Sequence, residues 1–113
     1  MNPEIIEKIK ENYNRARENP YFCDMFTCLS EDGVNAHLDI CRITLAEEIK
    51  TNNVEINTLL FYEFYKAIQA YKRDDIRTAI EEFIDMIVVC LRGIDVLEGR
   101  QALGDPAKKS NNN

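Results

Sequence analysis

Two carboxylates three residues apart, Glu82 and Asp85, lie beside and within the longest apolar stretch of the chain, residues 83–91 (FIDMIVVCL). On a helix this spacing places the side chains one turn apart, where both can reach one cation. A carboxylate with apolar neighbours is costly to ionise unless it is paired or bound to a metal. No basic residue lies three or four positions from either one. We therefore interpret the pair as part of a site.

A third carboxylate, Glu63, belongs to the preceding predicted helix, which runs from about Ile56 to Lys72. Apolar residues recur there at intervals of four, three and four: Leu60, Phe64, Ala67 and Tyr71. The connection to the next helix, residues 72–75, is short, which predicts antiparallel neighbours. We therefore expect Glu63 to meet Glu82 and Asp85 in the groove between the helices. Carboxylates from facing helices commonly hold divalent metals.

The same periodicity predicts an all-α fold, a helical bundle of about four main helices. Helix one covers Pro3 to Glu18 and helix two about Val34 to Thr51. Asp74 or Asp75 is expected to cap helix four.

Helix four has one apolar face that we expect to lie in the core, formed by Ile80, Ile84, Ile87, Leu91 and Ile94. The opposite side, which includes Asp85, is also largely apolar, and such a helix is usually buried on both sides. We therefore expect Asp85 to face another helix, of this subunit or of a partner. The same argument predicts a homo-oligomer, without fixing the number of subunits.

Length and charge restrict the class of protein further. The 113 residues suit a single helical domain, residues 1–103, followed by a flexible tail, residues 104–113. The net charge of -6 argues against a nucleic-acid partner, which requires clustered Lys and Arg. No secretory signal is visible, nor a stretch of the roughly 20 apolar residues that a membrane-crossing helix needs. We expect a cytoplasmic protein without a membrane partner.

Two segments, residues 59–75 (LLFYEFYKAIQAYKRDD) and 81–88 (EEFIDMIV), resemble the MazG-like all-α nucleoside triphosphate pyrophosphohydrolases. The family pattern is E-x-x-E, a spacer and E-x-x-D. The resemblance implies an oligomeric helical bundle, a dimer or a tetramer. It also implies that the protein uses magnesium, held by the four acidic positions, to cleave between the α and β phosphates of a nucleotide.

By this resemblance Glu63, Glu82 and Asp85 would bind Mg²⁺ or Mn²⁺. Glu82 or Glu81 would orient the attacking water. Lys66 departs from the pattern, because it stands where the second glutamate of the first half-motif belongs if Glu63 is the first. If Glu63 is instead the second glutamate, Leu60 stands where the first belongs, so the first half-motif is incomplete in either register.

Lys66 has two physical interpretations: its ammonium binds phosphate, or it points away while fewer ligands hold one metal. With Arg92 it is a candidate for contacting the nucleoside triphosphate. The sequence therefore leaves two functions open. One is the hydrolase, and the other is a catalytically degenerate relative that acts as a nucleotide-binding or protein-interaction module.

Structural interpretations compete with these roles. Glu63 with Lys66, and Arg77 with Glu81, have the spacing of ordinary helical ion pairs. The neighbouring Glu47 and Glu48 are expected to form a solvated face. A zinc site could form from four further residues, Cys23, Cys28, His37 and Cys41. The favoured interpretation is that the cysteines lie in the core and the histidine on the surface.

Overall fold

The computed structural model describes residues 1–19 and 26–104 of the chain. These residues form four helices: α1 (Pro3–Arg17), α2 (Glu31–Lys50), α3 (Ile56–Lys72) and α4 (Ile76–Gly104). The described residues contain no strand, so the predicted all-α class is confirmed for them. None of these helices is both long and apolar enough to cross a membrane.

The chain divides into two compact units. One comprises Met1–Phe26 with Ile94–Asn113, and the other comprises Thr27–Gly93. The single domain expected for residues 1–103 stays a prediction. Of the expected tail, Gly104 is the last residue of α4, and residues 105–113 lie outside the described residues.

Hydrogen-bonded caps set the helix boundaries. The bounds of α3 agree with the sequence-based prediction. Helix α2 begins three residues earlier than predicted, because the Ser30 hydroxyl accepts a hydrogen bond from the Gly33 N–H at 3.1 Å. At the other end of α2, Asn52 adopts a positive φ of 54°. The N–H groups of Asn52 and Asn53 donate to the carbonyls of Ile49 and Glu48, which closes the helix end.

The connection between α3 and α4 repeats this closure. Asp74 has a φ of 62°, and its N–H donates to the Tyr71 carbonyl. The N–H of Asp75 donates to the Ala70 carbonyl, while its carboxylate accepts from the Thr78 N–H at 3.2 Å. Asp75 therefore ends α3 and caps α4, and of the two capping candidates it is Asp75 that the structure confirms.

Helices α2 and α3 form the core of the unit Thr27–Gly93. Its largest fully buried side chains are those of Val34, Leu38 and Ile68. A hydrogen bond of 2.8 Å from Gln69 to Asn35 joins the last turns of α3 to the first turns of α2. Cys41 on α2 is also buried, as the favoured interpretation of the cysteines predicted, but Cys28 is exposed, so that interpretation is wrong for Cys28.

The side of α4 that faces α3 is not the one predicted to lie in the core. Lys66 of α3 contacts Glu82, and a Cβ added to Gly93 would lie only 2.6 Å from Ile56 Cδ1. The buried residue of α4 is Ala79. Side chains of α3 therefore reach this side of α4 and not the isoleucine face.

The predicted core face of α4 is therefore largely exposed in the single chain. Ile80, Ile84 and Ile87 keep 55%, 52% and 56% of their surface accessible, and Leu91 and Ile94 are half-buried. Asp85 is exposed as well, so the expectation that it faces a helix of its own subunit is wrong. A partner helix stays a prediction.

The unit that contains α1 has its own polar contacts. The Asn2 side chain accepts from the Glu4 N–H and caps α1, while the Asn2 N–H donates to Glu98 at 3.0 Å. The amino terminus pairs with Asp95 at 3.8 Å. Helix α1 has no buried residue.

Candidate metal centre

Three carboxylates meet where α3 passes α4. Oxygen atoms of Glu63, Glu82 and Asp85 all lie within 4.8 Å of one another. The predicted convergence is therefore confirmed, and it follows from the short connection that makes the helices antiparallel. Among the described residues this is the one group of three metal-binding side chains that the structure brings together. Metal binding itself stays a prediction.

The three carboxylates differ in their access to water. The side chains of Glu63 and Glu82 keep only 14% and 17% of their surface exposed, whereas Asp85 is exposed. Two buried neighbours of Glu63 on α3 are Ala67 and Ala70, whose short side chains take up little space. The cluster therefore has a half-buried end on α3 and an open end at Asp85.

Lys66 points into the cluster. Its Nζ atom lies 2.6 Å from Glu63 Oε1 and 3.4 Å from Glu82 Oε1, and it is 4.2 Å from the centre of the Tyr62 ring. A cation over the face of an aromatic ring is attracted to it. Of the two sequence-based interpretations of Lys66, the one in which it points away does not fit these contacts. The i,i+3 pair with Glu63 exists, but it is half-buried and not on the surface.

The Glu63–Lys66 contact is an ion pair without hydrogen-bond geometry. Glu63 Oε1 is shielded from water and accepts no hydrogen bond from the described residues. At 2.6 Å the attraction between opposite charges depends little on the angle of approach, so the contact remains strong. The cost of desolvating this oxygen of Glu63 is thus offset by the charge of the neighbouring Lys66 ammonium.

The surroundings change the protonation equilibria of Lys66 and Glu82. Desolvation is the largest influence on the pKa of Lys66 and lowers it, but the carboxylates of Glu63 and Glu82 together outweigh it and raise the pKa above the ordinary 10.5. Burial raises the pKa of Glu82 above its ordinary 4.5, although Lys66 opposes this rise, and Glu63 and Asp85 add to it. At neutral pH Lys66 is therefore charged.

A pocket of about 370 Å³ opens at the exposed end of the cluster. Its lining residues are Glu81, Glu82, Ile84 and Asp85. Glu81 also lies 4.0 Å from Arg77, which confirms the expected helical pair. Arg92 is exposed and makes no ion pair or hydrogen bond with the described residues. Glu81 thus lies beside the cluster, whereas no contact ties Arg92 to it.

The donor set fits a hard divalent cation, because Mg²⁺ and Mn²⁺ prefer carboxylate oxygens. Glu63, Glu82 and Asp85 would hold it. Asp85 makes no ion pair with the described residues, so its oxygens are available. Lys66 already neutralises part of the charge on Glu63 and Glu82, and a bound metal must therefore compete with its ammonium.

Glu48 has a role that the sequence analysis missed. Its carboxylate accepts hydrogen bonds from the Glu55 N–H at 3.0 Å and from the Thr58 hydroxyl at 2.8 Å. It therefore caps α3, whose own N-cap residue makes no side-chain hydrogen bond. The expected solvated face is wrong for Glu48. For Glu47, which pairs with Lys50, it is confirmed.

The zinc hypothesis gains no support from the described residues. Cys23 lies outside them, and no metal-binding group forms from Cys28, His37 and Cys41. His37 is exposed and stacks on Tyr65 of α3 with the ring centres 4.8 Å apart.

Comparisons with known proteins identify no relative. No protein-family model, curated protein or solved structure matches the chain.

Proposed function

We propose that the protein is a magnesium-dependent nucleoside triphosphate pyrophosphohydrolase of the MazG-like type. It would act on a cytoplasmic nucleotide and release a nucleoside monophosphate and pyrophosphate. The observation that carries the proposal is the convergence of Glu63, Glu82 and Asp85 within 4.8 Å. These are three of the four acidic positions of the motif that the sequence resembles.

The pocket beside the cluster supports the same function. Its volume of about 370 Å³ lies within the range of small-molecule sites, roughly 300–1,000 Å³. Two of its lining residues, Glu82 and Asp85, belong to the cluster itself. A nucleotide in this pocket would have its phosphates next to the carboxylates. Since the phosphates are also negative, a divalent cation is needed between them.

The chain supplies positioning and charge for hydrolysis of the α–β phosphoanhydride bond. A bound magnesium ion would polarise the phosphate oxygens and lower the pKa of a water molecule. Glu81 borders the pocket and is exposed, so we assign it to orient this water and to accept its proton. Glu82 is the second candidate for that role. The ammonium of Lys66 would offset negative charge on the released pyrophosphate or on the monophosphate.

A second function is favoured by the ion pairs of Lys66. Its ammonium lies 2.6 Å from Glu63 and 3.4 Å from Glu82, and so takes a position that suits a cation. In this alternative the charge balance of the cluster no longer requires a metal. The protein would then be a catalytically degenerate relative that binds nucleotides or other proteins.

A pyrophosphate-release assay distinguishes the two functions. The wild-type protein is tested with canonical and modified nucleoside triphosphates, in the presence of Mg²⁺ or Mn²⁺ and after chelation. We expect metal-dependent release that Asp85→Asn reduces at least about a hundredfold, since it removes a charged ligand. Asp39→Asn is the matched control, because Asp39 is an exposed aspartate of α2 paired with Arg42. Folded wild-type protein that is inactive on the whole panel would favour the second function.

A further inference from the structure

Most of the exposed apolar face of α4 lies outside the pocket of the proposed function. We define the α4 stripe as Ile76, Ile80, Ile84, Ile87 and Val88. These side chains are 49%, 55%, 52%, 56% and 50% exposed. All of them belong to the unit Thr27–Gly93. The described residues therefore leave half of each side chain uncovered.

The core of the described residues is small compared with their exposed apolar surface. Seven hydrophobic side chains are buried, and three of these are large and fully buried, whereas nineteen large hydrophobic side chains are exposed. Isolated exposed apolar residues are common on soluble proteins, but contiguous patches mark interaction sites. The α4 stripe is contiguous, because its members follow one another at helical spacing.

The spacing of the stripe matches that of a helix–helix seam. We define the seam as three members of the stripe, Ile80, Ile84 and Ile87, together with the half-buried Leu91 that follows them. These residues are separated by four, three and four positions, which is the repeat by which two helices interlock their side chains. The side of α4 that carries Glu82 and Gly93 already faces α3. The seam thus lies on a different side of the helix from the one that faces α3.

We propose that the α4 stripe is the interface with a second copy of this chain. The seam is self-complementary: a copy of α4 related by a two-fold axis and running antiparallel would place Ile80 opposite Leu91 of the partner subunit. Ile84 would lie opposite Ile87 of the partner subunit. Every seam position then meets an aliphatic side chain, as a symmetric interface requires.

The area and charge of the stripe are consistent with a symmetric dimer. Five half-exposed aliphatic side chains present on the order of 500 Å² per copy. If all of this area is covered, a symmetric pair buries about 1,000 Å², which is the lower limit for a specific interface. The charged residues at its edge, Arg77 and Glu81, pair with each other within one chain. These two charges therefore balance each other, and the charge that remains beside the stripe is that of Asp85, which lines the pocket together with Ile84.

The second copy would also border the candidate metal centre. Ile84 belongs both to the stripe and to the pocket lined by Glu81, Glu82 and Asp85. A partner helix on Ile84 would form an additional wall of this pocket. The dimer proposal nevertheless rests only on the stripe and holds whether or not the pocket binds a nucleotide.

The test is the mass of the full chain in solution, measured by light scattering and sedimentation equilibrium at micromolar concentration. We expect the wild-type protein to have twice the chain mass of 13.1 kDa. Ile87→Glu should raise the dissociation constant roughly a hundredfold or more, because it places unpaired charges in an apolar contact. Ile87 does not line the pocket, so nucleotide chemistry is not changed directly. Ile43→Glu is the control, since Ile43 is a 68% exposed isoleucine of α2.

The outcomes are distinct. A wild-type mass of 13.1 kDa, an Ile87→Glu variant that remains dimeric, or equal dissociation of Ile43→Glu would each overturn the proposal. Circular dichroism confirms that the variants remain helical. Should Ile87→Glu unfold, Ile80→Ser with Ile87→Ser removes apolar area without adding charge. It must still weaken the dimer, by at least about tenfold, for the proposal to stand.

Discussion

The ammonium of Lys66 on α3 lies 3.4 Å from the carboxylate of Glu82 on α4. The two side chains are 22% and 17% exposed, so water screens their charges only in part. Lys66 therefore joins two helices and balances the charge of a carboxylate cluster from within the chain. We therefore expect both the stability of the protein and metal binding at this cluster to depend on Lys66.

Removal of the Lys66 charge should destabilise the protein. Lys66→Met leaves the carboxylates of Glu63 and Glu82 without their shared partner, and we expect a loss of about 1–2 kcal/mol in the free energy of unfolding. Urea denaturation in the presence of a chelator measures it. The matched control is Lys50→Met, since Lys50 forms the same i,i+3 pair with Glu47 at 71% and 69% exposure. That variant should change stability by less than about 0.5 kcal/mol, and equal losses in the two would contradict the prediction.

The sequence predicts the carboxylate cluster because its determinants are local. Glu82 and Asp85 are one turn apart, and the connection after Lys72 is too short for anything but antiparallel helices. The direction of Lys66 is not predictable in the same way. Its long side chain can adopt many rotamers, and two acidic partners on different helices become available only after α3 and α4 pack.

The orientation of α4 is not fixed by its periodicity. Both sides of the helix are apolar, so the pattern permits two faces towards α3. Gly93 decides between them in the structure, because Ile56 packs directly against its backbone. The wider isoleucine face is then exposed to solvent. This exposure is not predictable from the sequence, because it depends on which side of α4 faces α3.

The cap of α3 by Glu48 is similarly non-local. It depends on the path of residues 51–55, which brings the Glu55 N–H to a side chain seven positions earlier. We expect Glu48→Ala to lower the free energy of unfolding by about 1–2 kcal/mol, since it leaves the α3 N-terminus and the buried Thr58 hydroxyl without an acceptor. Glu47→Ala should cost less than about 0.5 kcal/mol. Thermal and urea denaturation of both variants check this, and a neutral Glu48→Ala would show that the bond does not stabilise α3.

The raised pKa of Glu82 predicts a specific pH dependence of stability. Because its folded-state pKa lies above the ordinary 4.5, the folded state binds the proton more tightly than the unfolded state does. This contribution to stability is present below about pH 4.5 and is lost as the pH rises through the folded pKa. The glutamine of Glu82→Gln is neutral at every pH, so this variant does not lose stability at this position as the pH rises.

We therefore expect Glu82→Gln to have a higher melting temperature than the wild type at pH 7, and a difference that disappears below pH 4. Scanning calorimetry at a series of pH values, with chelator present, measures both. Glu81→Gln is the control, because Glu81 is exposed. A variant that is less stable than the wild type at pH 7 would show that the pair with Lys66 outweighs the burial of Glu82.

Lys66→Glu separates the two candidate functions at one position. If Lys66 has replaced a fourth acidic ligand, the substitution restores an oxygen donor, and we expect magnesium to bind at least roughly tenfold more tightly. Magnesium should raise the melting temperature of the variant clearly and that of the wild type little, since stabilisation requires binding to the folded state. Lys72→Glu carries the same charge change at an exposed position of α3 and is the control.

The effect on nucleotide binding is different if the protein is an active enzyme in which Lys66 contacts phosphate. Lys66→Glu should then weaken nucleotide binding, because it adds negative charge next to the phosphates, and this holds whatever its effect on magnesium. Calorimetric titration of the wild type and the variant with magnesium, and then with a non-hydrolysable nucleotide, distinguishes the cases. If neither protein binds either ligand while both remain folded, the carboxylates of Glu63, Glu82 and Asp85 form a structural network around Lys66, and both hydrolysis and nucleotide binding are ruled out at this site.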